Sequence, residues 1–391
     1  MQSRLLALAV IAIAAAAPPA AAALPQIHAH RGGTVTKGTA TYGEESLAAY
    51  KHAARNGFVL EVDAKLTEDG VPVAIHDATL DRTTNCTGEV RMFTLTELAG
   101  CQTDVLGSPG SPLPTRPAGA YPAPIITIEK LLGFARRTGS VVNLEIKNVP
   151  TDPDYDTTSA YANKVMDAVI ASRIPRRQLI IQSFIPANLE VARQRVPGVA
   201  TSLLSLQSLN EIFLQSAADA HYTFISPEWP VTPDYVQRAH GLGLDVAPFT
   251  LNAAADVRAA RQADVDAVIT DDPLMAGRAL GLRAPRFFDA SVFIQGRRLV
   301  AVVHLKAPRG VSARQGCRGK LLMRIMFPSR TRVRLASGRL NRNCEARFST
   351  KRTPPRLGPP LVTVLFRGNA HLLPRLAGPK RAGLVPPMFN P

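Results

Sequence analysis

EVDAKLTEDGVPVAIHD, residues 61–77, is the stretch from which the fold is read. Residues 59–66 alternate in character and predict a strand, and residues 71–75 predict a second. Between them Thr67-Glu68-Asp69-Gly70 is a tight turn, with Asp69-Gly70 its strongest element. Parallel strands need a crossover of about a dozen residues, so this pair is an antiparallel hairpin. Two registers follow. With Asp69-Gly70 as the turn residues, His76 lies opposite Asp63; with Glu68-Asp69 there, it lies opposite Glu61. Glu61 and Asp63 are two apart and share a strand face. Either register therefore sets an imidazole beside two carboxylates, which is a reactive site or merely a solvated face.

Working outward, strands and helices alternate from Ile27 to Leu282. The strand candidates are residues 27–30, 59–66, 142–146, 179–182, 200–204, 223–226, 245–249 and 267–270, with 71–75 as the hairpin return. Setting the return aside leaves the strand count of a TIM (β/α)8 barrel, an α/β fold. Helices are expected at residues 44–56, 127–137, 161–172, 188–195, 232–241 and 253–263. Residues 85–124 break the rhythm. They are rich in Gly, Pro and Ser, hold Cys86 and Cys101, and are expected to be a loop excursion at the site end of the barrel.

The chain has 391 residues, enough for two domains. Arg4, the apolar run 5–17 and the small residues 21–23 form a secretory signal, too short for a membrane span. The mature chain is expected to begin near Leu24, outside the cytoplasm. In an oxidising compartment the local pairings Cys86–Cys101 and Cys317–Cys344 are expected disulfides. Charge marks a second boundary: residues 1–283 carry 24 Lys/Arg against 28 Asp/Glu, whereas residues 284–391 carry 22 against 2. The barrel domain is therefore placed at 24–283. Residues 284–367 form a basic, β-rich appendage of sandwich type, with no convincing helix. Residues 368–391, rich in Pro, Gly and Arg, are expected to be an irregular tail. An exported basic module is drawn to anionic membrane or cell-wall polymer; no nucleic-acid partner is expected.

Enzyme barrels carry their chemistry at the C-terminal ends of the strands. Those ends bear His30-Arg31-Gly32, Glu61 and Asp63, His76-Asp77 on the return, Glu145 and Lys147, then Gln182-Ser183-Phe184, Phe249-Thr250 and Thr270-Asp271. Glu61, Asp63 and Glu145 converge on one mouth. Clustered carboxylates raise one another's pKa unless a cation neutralises them, and an all-oxygen set favours Mg2+ or Ca2+. Arg and Lys beside a cation clamp a phosphoryl group, and two histidines supply a base and an acid. Displacement at phosphorus suits this inventory. A lone His-Arg-Gly or Glu-x-Asp carries little weight; what counts is that all these groups end barrel strands at one rim. His28, two residues before His30 and deeper in its strand, is expected to be a core histidine.

Taken together, His30-Arg31-Gly32, Glu44-Glu45-Ser46, Glu61-Val62-Asp63, Thr67–Gly70 and His76-Asp77, followed by 144–147, 183–184, 250–252 and 270–273, resemble the glycerophosphodiester phosphodiesterases over residues 26–280. The resemblance implies a TIM barrel that uses a divalent cation to hydrolyse glycerophosphodiesters to an alcohol and glycerol 3-phosphate. It implies His30 and His76 as general acid and base, Glu61, Asp63 and Glu145 as metal ligands, and Arg31 and Lys147 on the phosphate. Three positions depart from the family pattern. Glu45 stands where Asn is usual, Phe249 stands where Trp is common and would wall the substrate, and Gly43 replaces a Pro. Two other readings compete: a secreted phospholipase D of the sphingomyelinase-D kind, and a non-catalytic barrel that binds its ligand.

Overall fold

Leu144 and Ile146 are fully buried, as are Val62 and Ala64 on the neighbouring strand and Ile181 on the next. Strands apolar on both faces belong to a parallel sheet covered by helices, and the chain builds one. The computed structural model describes residues 24–103, 122–206, 209–295, 298–327, 334–351 and 359–383. The expected leader, residues 104–121 of the excursion and residues 384–391 lie outside the described residues.

The barrel strands are β1 (Gln26–Ala29), β2 (Val59–Leu66), β4 (Val142–Ile146), β5 (Leu179–Ser183), β6 (Ala200–Ser205), β7 (Phe224–Pro227), β8 (Asp245–Val246) and β9 (Ala267–Thr270). They pair in parallel in the order β8-β7-β6-β5-β4-β2-β1-β9. Bonds from Asp266 N to Val246 O and from Leu251 N to Ile269 O, each 2.9 Å, close the ring between its two ends. Strand β8 is shorter than the expected 245–249, since Pro248 has no N–H to offer a ladder. Helices α1 (Leu47–Arg55), α2 (Ile128–Thr138), α3 (Ala160–Ser172), α4 (Pro186–Arg195), α5 (Glu211–Asp219), α6 (Pro233–Gly241), α7 (Ala254–Gln262) and α8 (Pro273–Ala279) cover the outside. In α2, Ile128, Leu131, Leu132 and Ala135 form the buried stripe, and Thr127 caps the start by accepting from Lys130 N.

The hairpin adopts neither of the two expected registers. Its return, β3 (Pro72–Ala74), pairs Ala64 with Ala74, Lys65 with Val73 and Leu66 with Pro72. The loop holds three residues, 68–70, and is closed by Thr67 N donating to Val71 O at 3.1 Å. Gly70 takes the left-handed conformation at φ 73°, the position at which a three-residue hairpin loop favours glycine. Thr67 fixes this loop with its side chain, accepting from Val71 N at 2.8 Å and donating to Asp69 at 2.6 Å. The ladder's last bond runs from Ile75 N to Asp63 O. His76 then leaves the strand and reaches the site from beyond its end, not from a cross-strand position.

The appendage folds as two antiparallel sheets. Strands β10 (Phe287–Gln295), β11 (Arg298–Lys306) and β14 (Glu345–Lys351) form one, in the order β10-β11-β14. Strands β12 (Lys320–Met326), β13 (Arg334–Arg339), β15 (Leu361–Phe366) and β16 (Arg375–Arg381) form the other, in the order β13-β12-β15-β16. Ala301, Val303, Met323, Ile325, Val364 and Phe366 fill one core between them. Both disulfides are present: Cys86–Cys101 staples the excursion, and Cys317–Cys344 joins the turn before β12 to the turn before β14. A single helical turn, Ala313–Gly316, interrupts the strands. The expected irregular tail is corrected over its described part. Leu372, Leu373, Leu376 and Ala377 are buried, and β16 pairs with β15. The Pro/Gly/Arg composition masked an apolar anchor of four residues.

Leu373 of this stretch, with Arg324 and Arg375, seats the appendage on the barrel's N-terminal pole. Arg324 donates to the Arg136 carbonyl at 2.9 Å and to Gln178 at 3.1 Å; Arg375 pairs with Asn56 at the end of α1. Leu373 is part of the barrel's own core. A Cβ on Gly277 would lie 2.7 Å from Leu373, and one on Gly57 would collide with Pro374, so both surfaces are cut to fit. The C-terminal strand ends point the other way.

Candidate active site

In register, Asp63 of β2 lies beside Glu145 of β4, which lies beside Gln182 of β5. Paired residues of parallel strands project to the same side, so these three form one layer at the C-terminal end of the barrel. Glu61 sits one layer deeper. It accepts from Gln182 Nε2 at 2.8 Å and from the Arg31 backbone N–H at 2.7 Å. That donor exists because Arg31 holds a left-handed backbone, φ 49°, a strain that non-glycine residues adopt where the surroundings over-determine it. The Arg31 side chain donates to Glu44 at 2.8 Å and lies 3.4 Å from Asp63. Lys147 lies 3.1 Å from Glu145 and 3.7 Å from Asp63.

One ligand oxygen from each of Glu61, Asp63 and Glu145 lies within 4.8 Å of the others, and all three residues are buried. Burial and the Asp63 charge push Glu61 up. Burial also pushes Glu145 up, with Lys147 opposing and Asp63 reinforcing. Burial would raise Asp63 as well, yet Lys147, His76 and Arg31 hold it well below the carboxylate range. Without a cation the cluster takes up protons at Glu145 and Glu61 before Asp63. Asp63 Oδ2 and Glu145 Oε1 are buried and met only by the cations Arg31 Nε at 3.4 Å and Lys147 Nζ at 3.1 Å, without a hydrogen bond. Buried, inward-facing carboxylate oxygens with hydrogen-bonding capacity to spare fit a hard divalent cation.

Each histidine is gripped through Nδ1 by a carboxylate. His30 meets Asp271 at 2.7 Å, and Asn252 holds Asp271 in turn at 2.6 Å. His76 meets Asp77 at 2.6 Å. This leaves both Nε2 atoms free for proton transfer. Burial and Arg31 push His30 down, but the charge and hydrogen bond of Asp271, with Glu61, leave it raised from 6.5. For His76 burial prevails over Asp63 and Asp77, and its pKa is lowered from 6.5. His28 is a core histidine: it is buried, lowered to about 4, and paired with Asn143 at 3.3 Å. Phe249 stands half-buried at the rim, edge-on to Phe184 with centroids 6.2 Å apart, and Lys147 Nζ lies 5.6 Å from the Phe184 ring centre.

Three functional positions were not legible beforehand. Arg82, in the turn just before the excursion, donates to Asp77 at 2.6 Å and pairs with both oxygens of Glu44. It thereby joins the carboxylate that holds His76 to the one that holds Arg31. Nothing in the spacing marks it, because Glu44, the partner that ties it to Arg31, lies 38 residues away in the sequence. Asp271 and Gln182 lay in quoted motifs, but only the closed barrel shows what they hold. Replacing Arg82 with Gln is expected to lower kcat about 10- to 100-fold, the usual cost of losing an outer partner. Circular dichroism should stay unchanged while the acid limb of the pH profile moves, because Asp77 loses its counter-ion. Wild-type kcat in Arg82→Gln would dismiss the role.

A parallel eight-stranded barrel with this rim defines a barrel hydrolase of phosphoric diesters. The match to the glycerophosphoryl diester phosphodiesterase family model covers residues 30–275, and the chain belongs to that family. The glycerophosphodiester phosphodiesterase of Caldanaerobacter subterraneus subsp. tengcongensis is 29% identical over 232 residues, covering 59% of this chain and 89% of the relative. That of Bacillus altitudinis is 26% identical over 257 residues, covering 64% and 96%. Among solved structures, an Oleispira antarctica phosphodiesterase in complex with the product sn-glycerol-3-phosphate superposes with a TM-score of 0.52 at 20% identity, covering 66% of this chain and 97% of that one. A Parabacteroides distasonis glycerophosphoryl diester phosphodiesterase gives 0.50 at 23%, covering 67% and 87%. The appendage beyond residue 283 is outside the family match.

Proposed function

We propose that this protein hydrolyses glycerophosphodiesters to an alcohol and glycerol 3-phosphate outside the cytoplasm. The observation that carries this reading is the buried Glu61–Asp63–Glu145 triad flanked by two carboxylate-gripped histidines. Those three residues would hold a divalent cation, Ca2+ or Mg2+, which when bound supplies positive charge against the non-bridging phosphate oxygens. Arg31 and Lys147 carry the remaining charge complementarity and orient the diester. His76 is the base: burial keeps it neutral, and Asp77 fixes the tautomer that presents a free Nε2 to the attacking hydroxyl. His30 is the acid: Asp271 keeps its proton available for the departing alcohol oxygen. Phe249 and Phe184 wall the alcohol or glycerol side.

The assay is glycerol 3-phosphate release from glycerophosphocholine, with and without chelator. Release is expected to stop on chelation and return with added cation; release that persists in excess chelator sinks the metal assignment. A pH profile of kcat/KM tests the division between the histidines. A base must be neutral and an acid protonated. His76, lowered from 6.5, becomes competent at a pH below 6.5, and His30, raised from 6.5, stays protonated to a pH above it. The profile should be a bell with one limb on each side of 6.5, and two limbs on the same side would reverse or void the assignment.

The leader-like composition of residues 1–23 and the two disulfides support export. The basic appendage suits an anionic membrane or wall surface. It occupies the pole opposite the mouth, so a surface held there leaves the mouth facing away. That placement favours soluble deacylated diesters over the intact lipids that a sphingomyelinase-D-like enzyme would attack. Parallel assays on glycerophosphocholine and lysophosphatidylcholine separate the two, and turnover of either removes the binding-module alternative.

A further inference from the structure

A cavity of about 600 Å3 lies between the barrel base and the appendage, within the range of about 300–1,000 Å3 that small-molecule sites occupy. Leu24, Ile27, Phe58, Leu282, Leu365 and Leu376 give it apolar walls, and Arg367 stands on its lining. Arg367 is the end of a row. Its backbone N–H donates to Lys320 O at 3.0 Å, continuing the β12–β15 ladder by one pair past Leu321 and Phe366. Lys320 in turn lies directly opposite Arg339 of β13. Leu321 and Phe366 point into the appendage core, so the three cations project from the other face, the one turned towards the barrel. All three side chains are exposed. Among the described residues, none of the three has an ion pair with a carboxylate. Like charges set directly opposite in a sheet repel, and an anion bound across this row, whose Arg367 end lies on the cavity lining, relieves them.

We propose that this cavity binds a single-chain amphiphile with a phosphate-type anionic headgroup, its chain between barrel and appendage and its headgroup on Arg367, Lys320 and Arg339. The site is separate from the mouth and does not depend on the reaction assigned there. The two ends of the ligand are recognised by different physics. Apolar walls take the chain without regard to its length or branching in detail, whereas the cation row discriminates by charge.

Calorimetric titration of the full chain with dodecyl phosphate tests this, with sn-glycerol 3-phosphate present in excess to occupy the mouth. The parent should bind one equivalent. Lys320→Gln/Arg339→Gln should weaken binding about tenfold or more, the cost of losing charge-assisted contacts. Gln26→Trp, at an exposed strand-end residue that lines the cavity, should weaken it similarly by filling the space. Thermal melting without ligand reports whether either variant has disturbed the fold. Dodecyl maltoside should bind at least tenfold more weakly than dodecyl phosphate, and inorganic phosphate should not compete. Equal binding of the maltoside would make this a plain apolar crevice, and equal binding of inorganic phosphate a plain anion site. Either result, displacement by glycerol 3-phosphate, or the absence of binding overturns the proposal.

Discussion

Asp63→Asn is expected to lower kcat/KM for glycerophosphocholine by about 10³-fold or more, exceeding the 10- to 100-fold typical of losing an outer partner, and to remove measurable cation binding. Asp63 is the member of the triad that stays ionised, because Lys147, His76 and Arg31 all favour its charge. Its neighbours Glu61 and Glu145 are pushed up by burial and by the Asp63 charge itself. An amide at this position removes the fixed negative charge against which a cation assembles, and it leaves Arg31 and Lys147 with one partner fewer. The substitution is nearly isosteric, and the backbone N–H of Asp63, which donates to Glu45 at 3.0 Å, is unaffected, so circular dichroism should not change. Glycerol 3-phosphate release and a Ca2+ or Mg2+ titration by calorimetry check both halves of the expectation. Turnover within tenfold of the parent would falsify the triad as the metal site.

Ending the chain at Arg283 is expected to destabilise the barrel by enough to cost it solubility or to lower its melting temperature by at least about 10 °C. The appendage is part of the barrel's packing rather than a tethered module. Leu373 lies in the barrel core at 1% exposure, and Leu373→Ala alone should cost about 2–5 kcal/mol from lost transfer energy and the cavity left behind. For a domain of this size each kcal/mol corresponds to about 2–4 °C. Truncation also strips the bonds from Arg324 to Arg136 O and Gln178 and from Leu373 N to Arg283 O. Differential scanning calorimetry of the truncated chain beside Leu373→Ala tests this. A barrel that melts like the full chain would show that the appendage contributes nothing to it. Loss of activity on truncation therefore says nothing about surface binding unless folding is measured alongside.

How much of this protein could be read without coordinates differs from element to element. The eight barrel strands were legible because parallel strands buried on both faces leave long apolar runs, and Thr127 announced α2 because its side chain caps a local backbone donor. Glu61, Asp63 and Glu145 were legible as a group because strand ends in a barrel share one rim, whatever the finer geometry. The hairpin register was not legible. It turned on whether the loop held two residues or three, and the deciding contacts, Thr67 on Val71 and Asp69, are worth little individually. Arg82 and Asp271 were invisible in role for another reason. Each bonds a residue brought from a distant segment, and a single sequence carries no record of such pairs.

The stretch 61–77 thus determined by itself that two carboxylates and a histidine would be close neighbours, since strand periodicity and a short turn are local physics. The composition beyond residue 283 likewise determined that a basic β-rich unit would follow the barrel. Tertiary structure alone decided the rest. Pairing of β4 on β2 set Glu145 beside Asp63, and pairing of β9 on β1 brought Asp271 to His30. The charges set beside equally buried groups decided which carboxylates are pushed up and which imidazole is lowered, because those charges come from strands that only the folded chain brings together. Near the C-terminal end Leu372 and Ala377 join the appendage core while Leu373 enters the barrel core, and that division fixes the basic unit on the pole opposite the mouth. Leu373 meets Gly277 and Arg283, some ninety residues or more upstream, where no local pattern could announce it.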